Sequence, residues 1–292
     1  MLTAAISGSI FASPSVSQIV NTVARAGGQA GTILIIKNYT GDIFHFYLAA
    51  EKARAKYGLK VGIIVVADDV SVGRAKSGKV GRRGLAGTVF VHKILGAMSR
   101  VPGKSFDSIV EMGKLVTDSL VTVGVSHGHV HIPGRPVPED SLNHDQVELG
   151  MGIHNESGCQ ILSPRPSLPD LVKKMLDQLL DPNDSDRAYV DFKDAQDVVL
   201  LVNNLGSLSV LELGGITHEA VSQLSKFSRS GLYVDQNLPH TRIQRPFALK
   251  NPRRYIYDKF RWSRLQHNPP QSHHRDARIY RRSYNSDRLV SA

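Results

Sequence analysis

A chain of 292 residues, 41% hydrophobic and 21% charged, has the make-up of an ordinary soluble globular protein with enough apolar side chains for one large core or two modest ones. A single cysteine, Cys159, excludes an internal disulfide and fits a reducing compartment, while the absence of a long apolar run and of a basic, apolar leader in MLTAAISGSIFASPS points to a cytoplasmic protein. The net charge of +10 sits at one end: residues 241–292 hold 13 Lys and Arg against 3 Asp and Glu, whereas residues 1–240 hold 23 of each.

Ser13 and Pro14 are a good helix start, Val16, Ile19, Val20 and Val23 form an apolar stripe, and Gly27 with Gly28 stops it. Thr32 to Ile36 is too short for a membrane span and too β-branched for a comfortable helix, so it reads as a buried parallel strand. The polar turn Asn38 to Asp42 follows, and then Ile43, Phe46, Tyr47, Ala50 and Ala53 mark a helix face that Gly58 ends. Val61 to Ala67 is a second buried strand that closes a βαβ unit. In open α/β sheets ligands bind at the carboxyl ends of the strands, so Asp42 is a candidate to face a substrate.

Asp68 and Asp69 lead into VSVGRAKSGKVGRRG, a glycine-rich basic loop that a packed core would not absorb. Leu85 to Met98 reads as a buried helix and Ser105 to Leu120 as a further one, with Ser108 and Glu111 either at capping-box spacing or equally inside the first turn. Val121 to Ser126 is a short strand that runs into HGHVHIPGRP. In an extended segment His127, His129 and His131 share one face, a possible metal pattern, but a zinc site also needs ordered ligands from elsewhere, so a hydrogen-bonded loop is preferred.

ELGMGIHNESG, Glu148 to Gly158, is a second informative turn, whose glycines permit close backbone approach and present His154 and Glu156 on an exposed bend, although a histidine between glycines, taken alone, is more often structural than catalytic. Ser167 and Pro169 open an amphipathic helix over Leu168 to Leu180, with Leu168, Leu171, Val172, Met175 and Leu179 inward. Pro182 to Gln196 is acidic and is expected at the surface. Val198 to Asn203 is a third buried strand, and the NNLG turn after it repeats the opening unit. Beyond about residue 235 there is no sustained period, and the Arg-, Pro- and His-rich sequence is expected to be disordered. Its arginines interleave with Tyr255, Tyr257, Phe260, Trp262, Tyr280 and Tyr284, a composition able to bind nucleic acid by charge and stacking, although no folded nucleic-acid motif accompanies it.

Five strings in one order, GTILIIKNYTGDIFHFYLAAEKA, ADDV, GRRGLAGTVFVHKILGA, ELGMGIHNESG and LLVNNLGSLSVLEL, resemble the dihydroxyacetone kinase family, specifically its dihydroxyacetone-binding domain. HVHIPGR and GIHNE are most similar to the fungal, single-chain type. The resemblance implies ATP-dependent transfer of phosphate to a terminal hydroxyl of dihydroxyacetone. It gives His154 the role of bonding covalently to the substrate carbonyl carbon as a hemiaminal, and Asp42 that of the general base for the attacking hydroxyl. Thr40, Gly41, Asp42, Gly152 and His154 are then the substrate-binding residues. A covalent bond to the carbonyl separates short ketoses and aldoses from glycerol, which has none.

Family members begin with an upstream segment bearing a GGGSGHEP-like loop, and their binding domain continues past the position of residue 235; the chain departs from them at both ends. ATP and magnesium lie, in the family, on a separate helical domain, so the chain alone is expected to lack kinase activity. A homodimer is plausible from the family. The expected fold class is α/β, with mostly parallel sheets flanked by helices and two α/β subdomains, residues 1–120 and 121–235, ahead of a basic tail over residues 236–292. Two other functions are carried alongside: a catalytically inactive dihydroxyacetone-binding or regulatory protein, and nucleic-acid binding through the tail, for which a steep salt dependence is expected. A mononucleotide-binding protein is disfavoured, because neither GxGxxG after a strand nor GxxxxGK[ST] is present.

Overall fold

A computed structural model describes residues 1–236, apart from 79, 137–141, 194, 196, 197 and 228–231. The expectations for the basic tail, and for Asp194 and Gln196 in the acidic loop, lie outside the described residues.

Helix α1 spans Val16–Ala26. Its cap is Ser15 rather than Ser13: the Gln18 N–H donates to the Ser15 hydroxyl at 3.3 Å while Gln18 Oε1 accepts from the Ser15 N–H at 2.8 Å, a reciprocal capping box. Strand β1, Thr32–Lys37, and strand β2, Val61–Val66, pair in parallel, Thr32 opposite Val61 through Lys37 opposite Val66. Between them α2, Thr40–Tyr57, begins three residues earlier than Ile43, so Thr40, Gly41 and Asp42 form its first turn instead of a separate loop. Gly58, at φ 63°, ends it in the left-handed conformation that a Cβ disfavours. The small side chains Ala49, Ala50 and Ala53 let α2 approach closely, and Ile19, Val23, Leu34, Ile36, Phe46 and Val61 close over them as one core. Full burial contributes about 1.5–3 kcal/mol for each large aliphatic side chain, so this cluster anchors the turn after β1.

After β2 the basic loop is less exposed than its composition suggests. Val70 is fully buried and Ser71 nearly so, and residues Arg74–Ser77 form a single turn, α3. The Arg74 and Arg82 guanidiniums lie 4.3 and 4.2 Å from the centre of the Tyr189 ring, which fastens this loop to the acidic segment near residue 186. Helix α4, Thr88–Met98, buries Val91, Leu95 and Met98. Helix α5, Phe106–Asp118, is capped by Ser105, whose hydroxyl accepts from the Ser108 N–H at 3.1 Å; Ser108 therefore lies inside the first turn.

The second part opens with an antiparallel sheet of β3, Val125–Ser126, β4, Val147–Leu149, and β5, Gln160–Leu162. Helix α6 spans Leu168–Leu180 with Ser167 as its cap; Val172 is its buried residue, and Leu168 remains 40% exposed. Strand β6, Val198–Val202, pairs in parallel with β7, Leu232–Gln236, across α7, Val210–Phe227. The architecture is α/β with two parallel pairs, and the antiparallel sheet between them carries the second informative turn. No helix among the described residues is long and apolar enough to cross a membrane.

Candidate functional site

Two adjacent carboxylates at the exit of β2 build the floor of the site, and both are fully buried. Asp68 accepts from the backbone N–H groups of Leu85 at 2.6 Å and Gly87 at 2.8 Å and from the Thr122 hydroxyl, so it holds the start of α4, where backbone donors and the helix dipole favour an anion. Asp69 pairs with Arg83, Oδ2 to Nε at 2.7 Å, and accepts from the Ser71 N–H at 2.9 Å and hydroxyl at 2.5 Å. Burial pushes the Asp69 carboxyl up, with Arg83 and Ser71 pulling the other way.

Arg83 carries that pairing across to the glycine turn. Its Nη2 donates to the Gly150 carbonyl at 2.5 Å and the Ser71 hydroxyl at 3.1 Å, and its Nη1 reaches the Glu156 carbonyl at 3.5 Å. Asn38, at the end of β1, donates to the carbonyls of Val80 and Arg82 at 2.7 Å each, which ties the basic loop to the first strand. One arginine and one asparagine thus bring the carboxyl ends of β1 and β2 against the turn that bears His154.

His154 is partly buried and closely held. Its Nδ1 lies 2.8 Å from Glu156 Oε1, and its backbone N–H donates to Glu156 Oε2 at 2.9 Å. Gly152 permits this fold-back, since a Cβ there would collide with the Glu156 carboxylate and come within 2.6 Å of Arg83 Nη1. Tyr39 and Phe11 stand edge-on to the imidazole, at centroid distances of 4.7 and 5.1 Å. Burial, together with the negative charge of Glu156, pushes the Tyr39 phenol well above its ordinary range, so it stays neutral and donates to the Gly84 carbonyl at 3.3 Å. For Glu156, burial opposes ionisation, but the hydrogen bonds from the His154 ring and backbone outweigh it and hold the carboxyl below its usual value. A folded pKa below the unfolded one gives stability that is complete above about pH 4.5 and is lost as pH falls through the folded value. The His154 backbone amide resonance, followed by NMR, is accordingly expected to hold steady down to that range and to shift below it.

The other sequence-predicted residues divide. Asp42 lies half-buried in the first turn of α2, and no hydrogen bond or ion pair among the described residues engages its carboxylate. Thr40 is exposed, and Gly41 faces the N-terminal segment, where a Cβ would come within 2.6 Å of the Ser13 hydroxyl. The turn of Thr40, Gly41 and Asp42 meets the His154 turn through Tyr39, the residue that precedes it. The three alternating histidines do not converge: His129 faces Glu148 at 3.5 Å, and His131 Nε2 donates to the Arg135 carbonyl at 2.7 Å. Among the described residues no group of three or more His, Cys, Asp or Glu is arranged to hold a metal ion. Tyr39, Arg83, Asp69 and Phe11 were not singled out as site residues. Tyr39 and Arg83 lie inside the NYTGD and GRRG strings, but nothing in their spacing shows that the loops they sit on touch the His154 turn.

At the start of α4 the backbone donors are not open to a phosphate. GRRGLAGT opens a helix in the manner of a phosphate cradle, but the Asp68 carboxylate already takes the donors at the start of α4.

The Dak1 domain matches residues 1–237. Dihydroxyacetone kinase 1 of Saccharomyces cerevisiae is 50% identical over 230 residues, which cover 77% of this chain and 39% of that protein. The crystal structure of the dihydroxyacetone kinase from C. freundii in complex with AMP-PNP and Mg2+ superposes with a TM-score of 0.64 at 34% identity, over 73% of this chain and 36% of that one. The dihydroxyacetone kinase operon co-activator Dha-DhaQ superposes with a TM-score of 0.65 at 27% identity, over 77% and 67%. The chain spans about two fifths of the length of the curated relatives it matches. With the matched domain running through both the NYTGD turn and the His154 turn, the chain belongs to the Dak1 domain family of the dihydroxyacetone kinases.

Proposed function

We propose that this chain is the substrate-holding part of a dihydroxyacetone kinase: it captures dihydroxyacetone on His154 and presents a terminal hydroxyl for phosphorylation by ATP. The observation that carries this reading is the His154 imidazole, engaged at Nδ1 by Glu156, with no hydrogen bond at Nε2 among the described residues and with the Phe11 and Tyr39 rings edge-on to it. A neutral imidazole nitrogen is a competent nucleophile toward a ketone, and Asp42 on the adjoining helix is the base for the hydroxyl that attacks phosphorus. Residues 1–120 then carry the base and residues 121–235 the capturing histidine. ATP and Mg2+ are supplied by a helical domain or subunit, consistent with the donors at the start of α4 being taken by Asp68.

Intact-mass spectrometry of the purified chain with dihydroxyacetone tests the capture. The expected species carries the whole mass of dihydroxyacetone with no loss of water, reverses on dilution and is not fixed by borohydride. A lysine Schiff base would lose water and be fixed. No adduct on a protein shown by circular dichroism to be folded would overturn the proposal.

The likeness to the operon co-activator favours a second reading, in which the chain binds dihydroxyacetone and does not support its phosphorylation. Adding ATP, Mg2+ and a helical ATP-binding domain from a relative separates the two. Turnover to dihydroxyacetone phosphate selects the kinase, and a stable adduct without turnover selects the binding protein.

A further inference from the structure

We infer that Glu156 is a positioning residue that holds the neutral His154 imidazole in the tautomer with its proton on Nδ1, so that the lone pair of Nε2 faces the substrate. This rests on ketone capture at His154, but the tautomer itself can be read without any ligand.

The argument follows from what each oxygen of Glu156 touches. Oε2 accepts the His154 backbone N–H at 2.9 Å, and an amide N–H is a donor whatever the ring does. Oε1 is 2.8 Å from Nδ1. A carboxylate offers no proton, so a neutral ring that puts a lone pair on Nδ1 would set two acceptors against each other. The ring must therefore donate from Nδ1, and Nε2 is left as the basic nitrogen. Tyr39 does not compete, because its hydroxyl donates to the Gly84 carbonyl, and the Phe11 ring has no polar atom. Arg83 steadies the turn from below through the Gly150 and Glu156 carbonyls.

The same geometry balances the capture step. The Nε2 lone pair forms the bond to the carbonyl carbon, and the carbonyl π pair moves onto oxygen, which takes a proton from water. The ring, now bonded at both nitrogens, passes its Nδ1 proton to the Glu156 carboxylate and through it to solvent. The product is a neutral hemiaminal with no net proton gained or lost.

Replacement of Glu156 by Gln has a direction. The fixed backbone N–H claims the single amide oxygen, the amide NH2 faces Nδ1, and the ring must accept there and carry its proton on Nε2, where it can no longer attack. Histidine-selective 15N labelling, with His154 assigned by comparison with His154→Ala, reads the tautomer in the ligand-free chain. The expected result is a protonated Nδ1 and an unprotonated Nε2 in the wild type, reversal in Glu156→Gln, and a mixture in Glu156→Ala. Adduct affinity is expected to fall roughly tenfold to a hundredfold in Glu156→Gln, the range set by one hydrogen bond to a charged group. A wild-type ring protonated on Nε2, or a folded Glu156→Gln chain with an unchanged tautomer, would overturn the inference. An Nδ1-protonated ring that forms no adduct supports the tautomer assignment and instead removes ketone capture.

Discussion

Arg83→Met is expected to lower the thermal unfolding midpoint by roughly 6–20 °C. The substitution removes one partner of a pair whose carboxylate, Asp69, is fully buried, and an uncompensated buried charge costs about 3–5 kcal/mol. In a domain of this size each kcal/mol shifts the midpoint by about 2–4 °C. The same change frees the Gly150 and Glu156 carbonyls, so the turn bearing His154 is expected to loosen and the proposed ketone capture to weaken with it. The double variant Arg83→Met with Asp69→Asn is the control. It leaves no charge behind and keeps a hydrogen-bonding group for Ser71, so it is expected to be more stable than the single variant. Thermal melts followed by circular dichroism decide the matter: a double variant that loses as much as the two single variants added together would show that the pair is not coupled.

The largest catalytic effects are expected at His154 and Asp42, and they differ in kind. On the proposed reading, His154→Ala removes the nucleophile, so the adduct is expected to disappear even where the chain remains folded. On the same reading Asp42→Asn is expected to keep the adduct but remove the proposed base, and with ATP, Mg2+ and an ATP-binding domain supplied to lower kcat by about 10²–10⁴. That split follows from placement. His154 is set by Glu156 and by two aromatic rings, whereas the Asp42 carboxylate, free of hydrogen bonds among the described residues, is available to a substrate hydroxyl. Mass spectrometry and turnover measured on the same preparations check both halves. Loss of the adduct in Asp42→Asn would recast Asp42 as a binding group, and an adduct persisting in His154→Ala would place the nucleophile elsewhere.

The α/β class, the first two strands, the helix over Leu168–Leu180 with its Ser167 cap and the strand at Val198 were legible in the sequence, because period, caps and glycine stops are local. Their errors are local too. The helix after β1 starts at Thr40 because nothing in the side chains of Thr40, Gly41 and Asp42 prevents a first helical turn, although their polarity suggested a loop. The glycine-rich basic loop was expected to stay outside the packed core because of its glycines and its charge. Its ends are buried because its arginines are satisfied by Asp69, at its own entrance, and by Tyr189 and the Gly150 carbonyl, which come from distant parts of the chain.

By itself the sequence determined the order of the elements and, by resemblance, the candidates Asp42 and His154 on two separate turns. Only the tertiary structure decided how those turns meet: Arg83 joins the exit of β2 to the His154 turn, and Tyr39 and Phe11 stand beside the imidazole. The reason is that strand and helix signals repeat over a few neighbouring residues. A contact such as Arg83 with Gly150 spans 67 positions and leaves no periodic trace in the chain, since only the closing of the fold brings its two ends together.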